Sequence, residues 1–278
     1  MIKYFILLLT TLSLTLGNPV SAAPKDDIKI LRDFFKKRFP DLTWQDYADG
    51  IYAIDPISRE TWEAIEEFPP YEIAIEDGAA LFSTAFANGK HYADCFPNKG
   101  MGIAQRYPYW DKQTKSVITL PLAINTCRST HGEKPLAYQK GDLAAIVAYM
   151  ADTSRGNIVN VEIPENDADA LAAYENGKQF YFARRGQLNF SCAHCHIMYA
   201  GSKLRSDMLS PMLGQTTGWP TYRAKWGAIG TLHRRFRGCN KQVRAKPLKA
   251  QSEAYRNLEY YLTHVSNGLT LNGPSSRR

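Results

Sequence analysis

Phe190-Ser-Cys192-Ala-His194-Cys195-His196-Ile-Met198 is the stretch on which the rest of this chain turns. Two thiols three residues apart can both form thioethers to the vinyl groups of one porphyrin, and the adjacent histidine then lies beneath the ring to ligate its iron. Cys192 and Cys195 are the expected attachment points, His196 the expected axial ligand, and one covalently bound haem c the expected cofactor. A zinc site would want a second ligand pair. None occurs at C-x-x-C or H-x-x-x-H spacing, although His194 could supplement the cluster. A thioredoxin-like pair would follow a strand in a βαβ pattern, whereas the residues before Cys192 have helical spacing.

Working outward, the N-terminus reads Met1-Ile-Lys3-Tyr-Phe-Ile-Leu-Leu-Leu, stays apolar to Leu16, and reaches Val20-Ser-Ala22-Ala23 before charge begins at Lys25. This is the pattern of a secretory signal peptide over residues 1–22. The apolar run falls short of the roughly 20 residues a spanning helix needs. The expectation is a periplasmic protein with no membrane span after cleavage, whose five cysteines are disulfide-bonded, cofactor-bound or reactive.

The total charge of +7 hides an asymmetry. Residues 201–278 carry fourteen Lys or Arg against three acids, and no acid separates Asp207 from Glu253. Arg234, Arg235, Arg237, Lys241, Arg244, Lys246 and Lys249 crowd around Cys239. An anion is expected there. The export signal, the haem motif and the sparse aromatics in the basic run argue against nucleic acid as the partner, and a solvated basic face is the alternative on charge alone.

The chain also repeats itself. A shift of 112 positions lays Thr119-Leu120 on Thr231-Leu232, Cys127 on Cys239, Lys134-Pro135-Leu136 on Lys246-Pro247-Leu248 and Tyr149 on Tyr261, without gaps. Upstream, Glu76-Asp-Gly78 ahead of Cys95 resembles Glu175-Asn-Gly177 ahead of Cys192. An internal duplication follows: residues 23–70 as an N-terminal extension, 71–152 as one domain and 165–278 as the other. Helical spacing is clear over Asp27–Phe39, Arg59–Phe68, Asp77–Gly89, Gly141–Met150, Asp167–Phe182 and Ser252–Val265. The expected fold is all-α, two tandem cytochrome c-like domains with long loops. In the first domain Asn98 and Lys99 replace Cys195 and His196, so that domain has lost its haem. Its remaining thiols, Cys95 and Cys127, sit where the other half has haem-side cysteines, and a disulfide between them is expected in an oxidising compartment.

The second iron ligand separates carriers from catalysts. Met208 and Met212 follow His196 by only twelve and sixteen residues, a short reach around a porphyrin. Cys239, forty-three residues on, has a more suitable reach, and spacing alone leaves His233 as a rival. The duplication favours Cys239, whose counterpart Cys127 persists in the decayed half. Cationic neighbours favour a thiolate there, the form that is both iron ligand and nucleophile.

With Cys192-Ala-His-Cys195-His196 followed by Arg235-Phe-Arg-Gly-Cys239-Asn-Lys-Gln-Val-Arg244, the mature sequence resembles SoxA, the haem-c subunit of the SoxAX cytochromes of bacterial thiosulfate oxidation. The resemblance implies an L-cysteine S-thiosulfotransferase that joins thiosulfate to a cysteine of a SoxYZ carrier and passes electrons through haem to a SoxX subunit and a soluble acceptor cytochrome. It also implies that Cys239 ligates the haem and carries a persulfide, and that Arg235 contacts substrate; Arg244 of the same motif is a further expected substrate contact. A thiosulfate dehydrogenase forming tetrathionate, a purely electron-transferring cytochrome c and a non-catalytic haem scaffold are the competing readings.

Overall fold

Helices form where the sequence caps them. In the computed structural model, which describes residues 23–277, α1 (Pro24–Arg38) opens with proline and Asp26/Asp27 and closes with Lys36, Lys37 and Arg38, complementing the helix dipole at both ends. The expected signal peptide lies outside the described residues. Next come α2 (Pro56–Glu66), capped by Asp55, and α3 (Glu72–Ser83). A short hairpin follows, β1 (Tyr109–Asp111) with β2 (Ser116–Ile118), then α4 (Leu120–Thr130) and α5 (Asp142–Asp152). The second half brings α6 (Ala168–Phe182), the tiny hairpin β3 (Lys203–Leu204) and β4 (Asp207–Met208), then β5 (Thr221–Arg223) and β6 (Ala228–Gly230). It closes with α7 (Leu232–Gln242), α8 (Glu253–His264) and β7 (Ser275–Arg277), which pairs in parallel with β5.

The 112-residue register holds element by element. Each boundary of β1, β2 and α4 falls on the corresponding boundary of β5, β6 and α7. Each half is built on one helix crossing, and a glycine makes each crossing possible. A Cβ on Gly78 of α3 would stand 2.0 Å from the Ala145 carbonyl oxygen of α5, and one on Gly177 of α6 would stand 2.0 Å from that of Asn257 in α8. Ala145 and Asn257 are 112 apart.

The halves interlock about an approximate two-fold. Thr119 Oγ1 donates to Gln251 Oε1 at 2.7 Å, and the backbone N–H of Thr231 donates to the Gln139 carbonyl at 3.2 Å; each residue of one pair is the 112-shifted equivalent of one in the other, as an isologous contact requires. Val117 of β2 packs into the core built on α6 and α8, while its equivalent Ile229 packs on Ala144 and Ala148 of α5. The hairpins thus bury their central side chains in each other's helical layer. The N-terminal segment joins the second half: Leu31 and Phe35 enter the same core as Tyr174, Tyr181 and Met212, and Asp27 accepts from Tyr174 Oη and Lys178 Nζ, both at 2.8 Å.

The fold is helix-rich as expected, with three differences. Short strands pair in both halves. The helix that spacing places over Asp77–Gly89 is α3, Glu72–Ser83. The stretches before the two closing helices, read as loops, contain α4 and α7. Only Leu232, His233, Phe236 and Asn240 of α7 are buried, and the intervening cations and Gly238 dilute the apolar period that reports a helix.

Cys95 and Cys127 are joined by a disulfide spanning 32 residues, with Cα atoms 5.9 Å apart. Cys127 and His131 form a cysteine–histidine cluster with Cys95, but both sulfurs are committed to the bond. Replacing both cysteines by serine is expected to lower stability by about 3 to 4 kcal/mol through the larger denatured ensemble. Denaturant titration checks this; a loss below about 1 kcal/mol would mean that the cross-link constrains little.

Candidate functional site

The haem motif is delivered to α7 by a tight turn. After α6 ends, the chain passes Gly186, whose Cβ would meet the Val243 carbonyl oxygen at 2.0 Å and whose φ of +69° suits glycine. The Leu188 N–H donates to that same carbonyl. The loop is therefore held against the residues that follow α7, and the next turn carries Cys192, Cys195 and His196 beside the helix bearing Cys239.

His194–Met198 form one wide π-type turn, a geometry that re-aims consecutive side chains. His194 is held aside by a 2.7 Å contact with Ser191 Oγ. His196 Nδ1 lies 2.9 Å from the Ser210 carbonyl, so Nδ1 carries the proton and Nε2 is the free ligating nitrogen. Dense packing pushes the His196 pKa down to about 4, which keeps the imidazole neutral. Burial, then the nearby Cys239, pushes the Cys192 thiol up to about 12, and the same two causes raise Cys195. Cys192, Cys195 and Cys239 are free of disulfides. Two protonated thiols, a neutral imidazole with an open nitrogen and a third sulfur within electrostatic reach fit the donor set of a covalent haem c.

Cys239 and Arg235 lie one turn apart on α7, and the Arg235 charge acts on both Cys195 and His196. The rival ligands are used elsewhere. His233 Nδ1 accepts from the Gln251 N–H at 2.9 Å and its Nε2 lies 3.0 Å from Glu259, beside a small cavity of about 70 Å³ between the halves. Met212 is wholly enclosed in the core around Phe35 and Tyr181, and Met208 sits in the β3–β4 hairpin. Arg244 is exposed, on the turn after α7 with φ of +57°, and does not figure among the charges acting on Cys192, Cys195 or His196.

Sequence reasoning passed over Arg223. It ends β5, is 9% exposed, and burial followed by repulsion from Arg235 pushes its pKa down to about 10. Among the surrounding basic residues nothing in the sequence distinguished it, save that the 112-residue shift sets Asp111 in its place.

A family model described as "SoxA/TsdA, cytochrome c domain" matches residues 77–159 and 176–271. The L-cysteine S-thiosulfotransferase subunit SoxA of Allochromatium vinosum is 56% identical over 272 residues, covering 98% of this chain and 96% of that protein. The protein of the same name from Chlorobaculum tepidum is 51% identical over 252 residues, 91% of this chain and 87% of its own. The crystal structure of SoxXA from P. pantotrophus superposes with a TM-score of 0.72 at 31% identity, covering 79% of this chain and 84% of that one.

Proposed function

This chain belongs to the SoxA/TsdA cytochrome c family, and from that premise we propose that it is the SoxA-type subunit of an L-cysteine S-thiosulfotransferase. It would carry one haem c, held by Cys192, Cys195, His196 and Cys239, and work in the periplasm beside a SoxX-type cytochrome. The disulfide that occupies Cys95 and Cys127 supports a single haem. Among the described residues no helix is long and apolar enough to cross a membrane. The observation that carries the reading is Cys239, a free sulfur on α7 within electrostatic reach of Cys195 of the haem motif and of Arg223.

Thiosulfate is a dianion, and Arg235 attracts its oxygens by charge-assisted hydrogen bonds. Cys239 supplies a sulfur on which thiosulfate can be held covalently before transfer to the carrier's cysteine. In the net reaction the carrier thiol and thiosulfate form a new S–S bond, releasing one proton and two electrons. When bound, haem supplies the exit for those electrons. The chain's own residues attract the anion, position its sulfur and hold His196 in the ligating tautomer.

The test is turnover of the native SoxAX-type complex with thiosulfate and an acceptor cytochrome, with and without a SoxYZ-type carrier. Thiosulfonation of the carrier cysteine, detected by mass, is expected only with all components present. Tetrathionate formation at the same rate without carrier would establish a thiosulfate dehydrogenase instead.

A further inference from the structure

A buried charge needs a partner, and Arg223 has none of its own. Its Nε is enclosed without a hydrogen-bond partner, and the side chain takes part in no ion pair among the described residues. The charged group acting on it most strongly is Arg235, which repels it, followed by Cys239 and then Asp207. The Trp226 ring, 5.5 Å from the guanidinium carbon, lies on one side. Arg223 thus lies within electrostatic reach of both Arg235 and Cys239, and Arg235 stands one turn from Cys239 on α7.

The duplication acts as an internal control. At the positions equivalent to Arg223 and Arg235, the haem-free half has Asp111 and Ala123. Asp111 accepts hydrogen bonds from Thr114 Oγ1 and the backbone of Gln113 and Thr114 within its own hairpin. The shared scaffold of hairpin and helix thus folds without either cation, whereas the cysteine is present in both halves. The arginines belong to what the second half does.

We propose that Arg223 and Arg235 form an oxyanion clamp at Cys239, in which Arg223 binds the sulfonate end of thiosulfate and leaves its terminal sulfur facing the Cys239 sulfur. This deepens, and rests on, the transferase reading above. Two guanidiniums match the two negative charges of thiosulfate, and a sulfonate's three oxygens can accept from both forks at once. A desolvated guanidinium holds an anion more strongly than an exposed lysine does, because less water screens the pair. Arg235 lies one turn from the reacting sulfur on the same helix. Arg223 comes from the hairpin, so the pair clamps the anion from two elements.

The test uses the assembled complex and the variants Arg223→Met and Arg223→Lys. Thiosulfate affinity is measured by calorimetric titration without carrier, and KM and kcat with it. Arg223→Met is expected to weaken thiosulfate binding and raise KM by about tenfold or more, with kcat changed far less, as loss of uniform binding requires. Arg223→Lys keeps the charge but loses the fork and is expected to fall between. The Soret spectrum and haem midpoint potential stay unchanged in both. Thiosulfate affinity unchanged in Arg223→Met overturns the clamp, and if the potential shifts at the same time the guanidinium serves a haem carboxylate. A wild-type complex that binds thiosulfate but never labels the carrier sinks the transferase reading instead, while the binding series still decides the clamp.

Discussion

Cys239→Ala lowers thiosulfate transfer to the carrier by about 10³-fold or more in kcat/KM, while haem remains attached at Cys192 and Cys195. In the proposed reaction the sulfur removed is the one on which the covalent step depends, and deletion of a nucleophile typically costs three or more orders of magnitude. Attachment depends on a different segment, the turn positioned by Gly186 and Ser191, so haem stoichiometry by pyridine haemochrome should stay at one per chain. Alanine is a good helix former and α7 is secured elsewhere, by buried Leu232, Phe236 and Asn240 and the Asn240 Nδ2 to Tyr255 Oη bond of 2.9 Å. Cys239→Met sharpens the result. It replaces one potential iron ligand by another and takes away the nucleophile, so electron transfer to a small-molecule oxidant survives as transfer to carrier fails. Retention of more than about a tenth of wild-type transfer by either variant would reduce the chain to an electron carrier.

Gly177→Ala is the second large effect expected, and it falls on the fold. The new methyl would sit 2.0 Å from the Asn257 carbonyl oxygen, 2.5 Å from its carbon and 3.0 Å from the Leu258 nitrogen. All three are backbone atoms inside α8, so no side chain can rotate away. The helices α6 and α8 must separate, and with them a core containing Tyr174, Tyr181, Tyr261 and Leu258. Overpacking of this kind costs typically 1–3 kcal/mol and occasionally more, against up to about 1 kcal/mol regained from alanine's helix propensity. Contacts this short to rigid backbone place the net loss at about 2 kcal/mol or more, which for a chain of this size lowers Tm by several degrees. Gly78→Ala meets the Ala145 carbonyl at the same 2.0 Å and should destabilise comparably. Thermal melts of both variants within about one degree of wild type would show that the crossings can open without cost.

Because α6 leads directly into the haem turn, Gly177→Ala should also reduce haem occupancy, whereas Gly78→Ala, in the half closed by the disulfide, should not. The two substitutions are chemically identical and related by the duplication. Their difference therefore isolates what the helix crossing contributes to presenting the cofactor site.

Much of this was legible in the residues alone. Cys192, Cys195 and His196 are a contiguous motif, and contiguity carries its own geometry. The duplication, the pairing of Cys95 with Cys127 and the helices at α1, α3, α5, α6 and α8 follow from spacing, since register and period are properties of the chain itself. What spacing does not encode is where distant side chains end up. The hairpin exchange that sends Val117 and Ile229 into opposite helical layers is settled by packing across the approximate two-fold. So is the docking of the N-terminal helix on the second half through Phe35 and Asp27. His233 stays a rival ligand on paper until Gln251 and Glu259 close around it. Arg223 and Arg244 are two arginines of one basic region in the sequence, yet the fold encloses the first within electrostatic reach of Arg235 and Cys239 and leaves the second on an exposed turn. Burial and proximity are properties of the assembled core, and only the tertiary structure decides which positive charge loses its water.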